Sequence, residues 1–364
     1  MFRFTSFAIM ADKIILNEAK VKTVQLDCLV VMKIIKHVDS EFYSGMSEVA
    51  GETCAGILTG LIAADDHRLE VTNCFPTPRS EVLIEGEEFS QGVLQNDDGK
   101  HTEITDMLKR FREMNIDYEL VGFYQAHKFG ACFTQEVIDS LVDYQTIFQD
   151  GVVIVYDPVR TRQGQVSLRA FRLTNKALEL SISGDWSPEA VAAAKLTHET
   201  ILEELPVVIK NSHLMNVMLS QLGLVRKTKP APFLELGTRR SLEKCLRSLL
   251  GNVDELNKSI QAYSKYVNEK QRYDALLNSL IQKRQAENDQ RAQRNEPPLS
   301  LDEIKRQLKV PQLLTRGGMM DIFLNASNAG AFANYASEVT NENIAKLFIS
   351  ESVANAVEES HTRA

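Results

Sequence analysis

The chain has 364 residues, a formal net charge of −8, 44% apolar residues and 25% charged residues. A chain this apolar buries enough surface to offset its ordering entropy, which excludes a disordered polymer, and its acidic balance excludes wholesale wrapping of nucleic acid, which needs a basic face to displace counterions. No run approaches the roughly 18 consecutive apolar residues of a membrane span, and the five cysteines (Cys28, Cys54, Cys74, Cys132 and Cys245) contain no CxxC pair, so the reading is a cytoplasmic protein of a reducing compartment with no membrane partner.

Residues 1–19 open MFRFTSFAIM, with one arginine and an apolar run too short for a secretory signal; they read as a frayed tail, with an organelle-targeting extension as the alternative. From 20 to 175 strand and helix signals alternate. KTVQLD (22–27) alternates like a half-buried strand and VVMKIIKHV (30–38) switches to helical spacing. ETCAGILTGLIAA and RLEVTNCFP flank the turn residues DDH and predict a hairpin, after which 76–99 is rich in Glu, Gly, Ser and Asn and reads as a loop. A helix is predicted over 101–115 through Ile104, Leu108 and Phe111, then a strand in YELVGFYQAH, then a helix over 134–148 with Thr134 at its N-cap. GVVIVYDP, the turn TRQGQ and VSLRAFRL close a mixed α/β domain with flanking helices.

Residues 176–235 connect it to a helical region at 236–364. WSPEAVAAAK has a Ser-Pro helix start, LPVVIKNSHL is extended and apolar, and KTKPAPF (227–233) is a Pro-rich linker. Leu242, Leu246, Leu249, Val253, Leu256, Ile260, Tyr263 and Val267 then follow one another at alternating steps of four and three. That is an a/d seam of more than three heptads, which places a narrow apolar stripe on a partner helix, and the chain offers no evident match for it. The polar stretch after it ends in a Pro pair, with Lys283, Arg284, Arg291 and Arg294 leaving contact with RNA open, and a last helix is predicted over 341–357.

The chemistry-bearing stretch is GFYQAHKFGACFTQEVIDS. On a strand Gln125 and His127 point to the same side. A strand-borne His-x-His is a sound way to place two imidazoles on one metal, and the arrangement resembles the zinc motif of MPN (JAMM) domains, with the flanking Val121-Gly122-Phe123-Tyr124 and Gly56-Ile57-Leu58-Thr59-Gly60 matching it. The resemblance implies two histidines, a serine and an aspartate eight and eleven residues beyond the second histidine, and an upstream glutamate as general base. Here those positions hold Gln125, His127, Gln135, Ile138 and Thr53. Catalytic zinc usually takes three protein ligands and an open place for water, so with one aligned donor neither a metal nor a catalytic residue is expected. The competing assignment is a zinc-dependent deubiquitinating isopeptidase with His127, Glu52 and Asp139 recruited; Glu52 and Asp139 each lie one residue off register.

VKTVQLDCLVVMKIIKH, LEVTNCFPTP, NIDYELVGFYQ, YDPVRTRQGQVSLRAFRLT, ELPVVIKNSHLMNVMLSQL and RNEPPL occur in an order that resembles the h-subunit family of eukaryotic translation initiation factor 3, from about residue 20 to residue 355, with the insert 82–100 departing from the pattern. The resemblance implies an MPN domain lacking the metal ligands, long C-terminal helices that join a helical bundle, and no cofactor. Its implied role is that of a non-catalytic scaffold in the MPN-PCI core of the factor. The implied partners are the factor's other subunits, notably the second MPN subunit, f, and through the complex the 40S ribosomal subunit and mRNA.

Overall fold

The computed structural model describes residues 21–43, 54–63, 67–77, 96–131, 133–148, 150–163, 165–225, 236, 239–293 and 319–362. Strand β1 (Thr23–Leu26) buries Val24 and Leu26, and helix α1 (Cys28–Tyr43) follows with Val30, Ile34 and Val38 on its inner face. The predicted hairpin forms: β2 (Cys54–Ala63) and β3 (Arg68–Pro76) pair antiparallel, with Gly56 opposite Pro76 and Ala63 opposite Arg68. Helix α2 (Asn96–Glu113) starts before the predicted 101, so 96–99 of the expected loop are helical; NDDG carries no apolar spacing that would have marked it. Residues 78–95 lie outside the described residues.

Strand β4 (Leu120–Ala126), a 3-10 turn (Lys128–Gly130), helix α3 (Gln135–Ile147) and strand β5 (Val152–Asp157) come next. Thr134 does occupy the N-cap position of α3, but its side chain makes no capping hydrogen bond. Where a simple turn was expected there is first a one-turn helix, α4 (Pro158–Arg162). It starts there because the Asp157 carboxylate accepts from the Val159 and Arg160 amides at 2.8 and 3.4 Å and Pro158 needs no amide partner. Strand β6 (Ser167–Leu173), α5 (Asn175–Ser183) and α6 (Pro188–Ala194) follow, the last capped by Ser187 as the Ser-Pro start predicts, with the Ala190 amide donating to Ser187 Oγ at 3.3 Å. Then come β7 (Leu202–Leu205), β8 (Val207–Ile209), α7 (His213–Val225), α8 (Arg239–Gln293) and α9 (Met320–Thr362).

The strands form one mixed sheet in the order β7-β6-β5-β4-β2-β3-β1-β8. Its two outermost strands are consecutive in the chain: β7 pairs antiparallel with β6, β8 pairs parallel with β1, and only Pro206 separates them. The sheet therefore curls back toward itself. Arg172, 8% exposed, fastens this seam by donating to the Val21 carbonyl at 2.8 Å and to Glu203 Oε2 at 2.8 and 3.0 Å, while buried Asp150 accepts from the Val21 amide at 3.1 Å. Sheet and core run past residue 175, since Ala177, Trp186, Val191 and Ile201 share a cluster with Phe171 and Leu173.

Each face of the sheet has its own core. Tyr124, Leu58 and Ile154 pack under α1, where Gly56 leaves the space that the Tyr124 ring fills, and the Tyr124 hydroxyl meets His37 Nδ1 at 2.8 Å. On the other face Phe123, Val153, Val155 and Phe171 pack against α3, α5 and the first residues of α9. Gly122 is required by close approach, because a Cβ there would collide with the Val152 carbonyl. Helix α9 begins at Met320, well before the predicted 341, and lies against α8.

Candidate functional site

The alternation of β4 puts Gln125 and Phe123 on the face that packs on α3. Gln125 is buried, and its Oε1 accepts no hydrogen bond from the described residues. His127 follows the strand end and is half-buried; its amide donates to the Tyr156 carbonyl at 3.0 Å. Its Nδ1 lies 2.9 Å from the Lys128 carbonyl, an acceptor only, so Nδ1 carries the proton and Nε2 the lone pair in the neutral ring. On α3, Ile138 is 1% exposed and joins Val137 and Leu141 in the core, whereas Gln135 stands in solvent. Asp139 is exposed, and partial burial, then the charges of Asp143 and Glu136, raise its carboxyl above the usual range. Thr53 and Glu52 lie outside the described residues.

These residues do not fit zinc. An isoleucine in the hydrocarbon core replaces the carboxylate, a neutral amide replaces one imidazole, and Asp139 points out among like charges. Zinc needs several deprotonated or neutral N, O or S donors on one centre.

The loop that leaves the site is covered instead. Phe129 has a positive φ of 67°, a conformation that a bulky residue holds only when its surroundings over-determine it. Its ring packs on Tyr335 and Phe332 of α9 at centroid distances of 5.0 and 6.3 Å, and Ala131, Cys245 and Val339 complete the cluster. Cys245 is fully buried, and burial first, then the Asp157 charge, pushes its thiol up to about 11. Four residues past Phe129, buried Asn328 clasps the chain: the Phe133 amide donates to Asn328 Oδ1 at 3.0 Å and Asn328 Nδ2 donates to the Phe133 carbonyl at 2.7 Å. Arg160 of α4 pairs with Glu338 and, at 3.7 Å, with Glu342, and lies over the Tyr335 ring. At the start of α9 the Met319 amide donates to the Trp186 carbonyl at 3.1 Å, and Met320 and Leu324 enter the core.

The a/d seam is therefore partly matched within the chain, contrary to the expectation that it has no partner there. Leu249 packs on the cluster that holds Phe332 and Tyr335. The half-buried stripe of α8 runs through Leu249, Asn252, Leu256, Ser259 and Tyr263, and Leu242, Val253 and Val267 are also half-buried. Leu246 and Ile260, at 43% and 46%, are exposed. The covered stripe is rotated from the apolar one because it takes in Asn252 and Ser259.

Known proteins similar to this chain point to one family. The family described as the C-terminal region of eIF3h matches residues 161–359, and that described as JAB1/Mov34/MPN/PAD-1 ubiquitin protease matches 19–150. A relative from Brugia malayi, named as the H subunit of eukaryotic translation initiation factor 3, is 58% identical over 352 residues, covering 92% of this chain and 93% of the relative. The chain belongs to the eIF3h family. Relatives of the same name from Caenorhabditis elegans and Xenopus laevis are 49% and 35% identical, the first covering 95% of both chains and the second 92% of this chain and 94% of its own.

Among the described residues Gln125 lies in β4, His127 just past its end, and Gln135 and Ile138 in the first turn of α3, but the residues that bury the loop beside them went unmarked in the sequence. Phe129 sits two residues past His127 and reads as an ordinary apolar residue. Cys245 lies three past Leu242 and four before Leu249, a helical spacing that a cysteine does not advertise.

Proposed function

We propose that this chain is a non-catalytic scaffold subunit of eukaryotic translation initiation factor 3. It supports assembly of the MPN-PCI core and recruitment of mRNA to the 40S ribosomal subunit, in the cytoplasm, with the second MPN subunit, f, as a direct neighbour. The observation that carries this reading is the burial of Phe129 and Ala131 beneath α9, beside a site where Ile138 takes the carboxylate's place. A peptidase needs an accessible groove for an extended substrate and a polarised water; a scaffold needs a rigid domain with helices fixed to it. The names of the relatives supply the factor.

The test is purification of the tagged full chain from cells, with mass spectrometry of what accompanies it and metal analysis of the chain alone. The expected outcome is recovery of the factor's subunits including f, far less than one zinc per chain, and no cleavage of ubiquitin chains. Stoichiometric zinc that a chelator removes together with a cleaving activity would establish the isopeptidase instead.

A further inference from the structure

Helix α8 does not end at the domain. Lys270 pairs with Glu189 of α6, and at about 1.5 Å per residue the helix then carries the chain roughly 35 Å further before it stops at Gln293. On this outlying part Leu277, Leu280 and Ile281 are half-buried, while Leu276, the chain neighbour of Leu277, is 53% exposed. One side of the helix is therefore covered and the next is not. No core cluster among the described residues takes in Leu277, Leu280 or Ile281.

The Met319 amide donates to the Trp186 carbonyl at 3.1 Å, and Trp186 stands three residues before Glu189, so by residue 319 the chain is back in the neighbourhood of Lys270. Residues 294–318, which lie outside the described residues, must retrace those roughly 35 Å. Their sequence carries the signals of a short amphipathic helix. Ser300 followed by Glu303 is a capping box, and Leu299 and Ile304 occupy the positions of a hydrophobic staple. Asp302 and Glu303 fall at the start and Lys305, Arg306 and Lys309 toward the end, as the helix dipole favours. Leu301, Ile304 and Leu308 recur at three and four, Pro311 stops the pattern, and Leu313 and Leu314 follow it.

We infer that residues 300–314 dock on α8 as the returning limb of an antiparallel hairpin, with Leu308, Leu313 and Leu314 over Leu277, Leu280 and Ile281. In a single chain, accessibility is lost only to the chain itself, which makes a second copy or another protein the poorer occupant of a stripe that is already covered. Residues 294–318 are tethered at both ends of that stripe. The covered side of outlying α8 is then closed to partners, and the side of Leu276 stays open. None of this depends on the scaffold reading.

Limited trypsin digestion of the full-length chain tests it, read as the rate of cleavage after Lys305, Arg306 and Lys309. The expected result is slow cleavage in the wild type and at least tenfold faster cleavage in Leu308→Asp. Leu277→Asp with Ile281→Asp, which alters only the facing surface, should give the same gain, and Leu276→Asp should keep the wild-type rate. All these variants should keep the wild-type urea midpoint, since no core cluster of the described residues includes the α8 positions; if the α8 pair lowers it, Leu308→Asp decides alone. Wild-type cleavage as fast as that of Leu308→Asp overturns the inference, as does an α8 pair that leaves the rate unchanged or a Leu276→Asp that raises it equally. Protection that disappears on dilution overturns it in favour of a second copy.

Discussion

Phe332 and Phe348 lie in the same helix, sixteen residues apart, yet one is 7% exposed and the other 67%. Local propensity does not distinguish them. What differs is the surface beneath: the proximal half of α9 packs in a cluster with the loop after β4 and with α8, and no core cluster of the described residues takes in the distal half. A long helix thus acts as two parts, one belonging to the core of this chain and one offered outward. Its stability should divide in the same place.

The widest test of that division is a matched truncation. Phe332→Ala should cost about 3–4 kcal/mol, because it removes a buried ring from a packed cluster and leaves a cavity. Urea unfolding measures it as a lowered midpoint. An undiminished midpoint would mean that the proximal half is no more part of the core than the distal half. Asn328→Ala comes next, at about 2 kcal/mol, since it strands both the amide and the carbonyl of Phe133 in a buried place. Amide hydrogen exchange at Phe133 should quicken in that variant.

A smaller effect comes from Asp157, which caps α4 beneath the clasp. Burial raises its carboxyl above the ordinary 3.8, against the opposing pull of the Val159, Arg160 and Phe129 amides. The folded chain thus keeps a proton that the unfolded chain has released. This group's contribution is full below 3.8 and is lost as pH rises through the raised folded value. Asp157→Asn abolishes the titration, so urea midpoints taken from about pH 4 upward should fall less steeply than in the wild type. Least of all, Phe348→Ala should move the stability of the isolated chain by no more than about 0.5 kcal/mol, as exposed substitutions do. A loss comparable to that of Phe332→Ala would show the two halves to be alike.

The sheet was largely legible because its strands are short, apolar and bounded by turn residues, and α1 and α3 because their inner faces recur at three and four. The head of α9 was not, for a physical reason. NASNAGAFAN (325–334) consists mostly of small residues that allow close approach without producing an apolar period, and the part Asn328 plays exists only once Phe133 stands opposite. The long α8 was legible as a helix but not in its rotation, since the stripe it covers includes Asn252 and Ser259. At the degenerate site, the unsuitable donors could be read from the sequence and the cover over the neighbouring loop could not. Its two sides are distant in the chain and neither carries a motif.

Pro206 divides one extended segment between the two edges of the sheet, and this sets how the molecule must fold. The bond from the Cys28 amide to Asn211 Oδ1 joins residues 183 apart, and the link from Arg172 to Val21 spans 151. Loop closure over such separations costs entropy before any contact repays it, so a high contact order makes folding slow. During synthesis β1 waits for its outer neighbour until residues 207–209 have left the ribosome. The loop at Phe133 waits longer, since Asn328 is 195 residues further on. Nearly the whole chain must exist before the domain acquires its last wall.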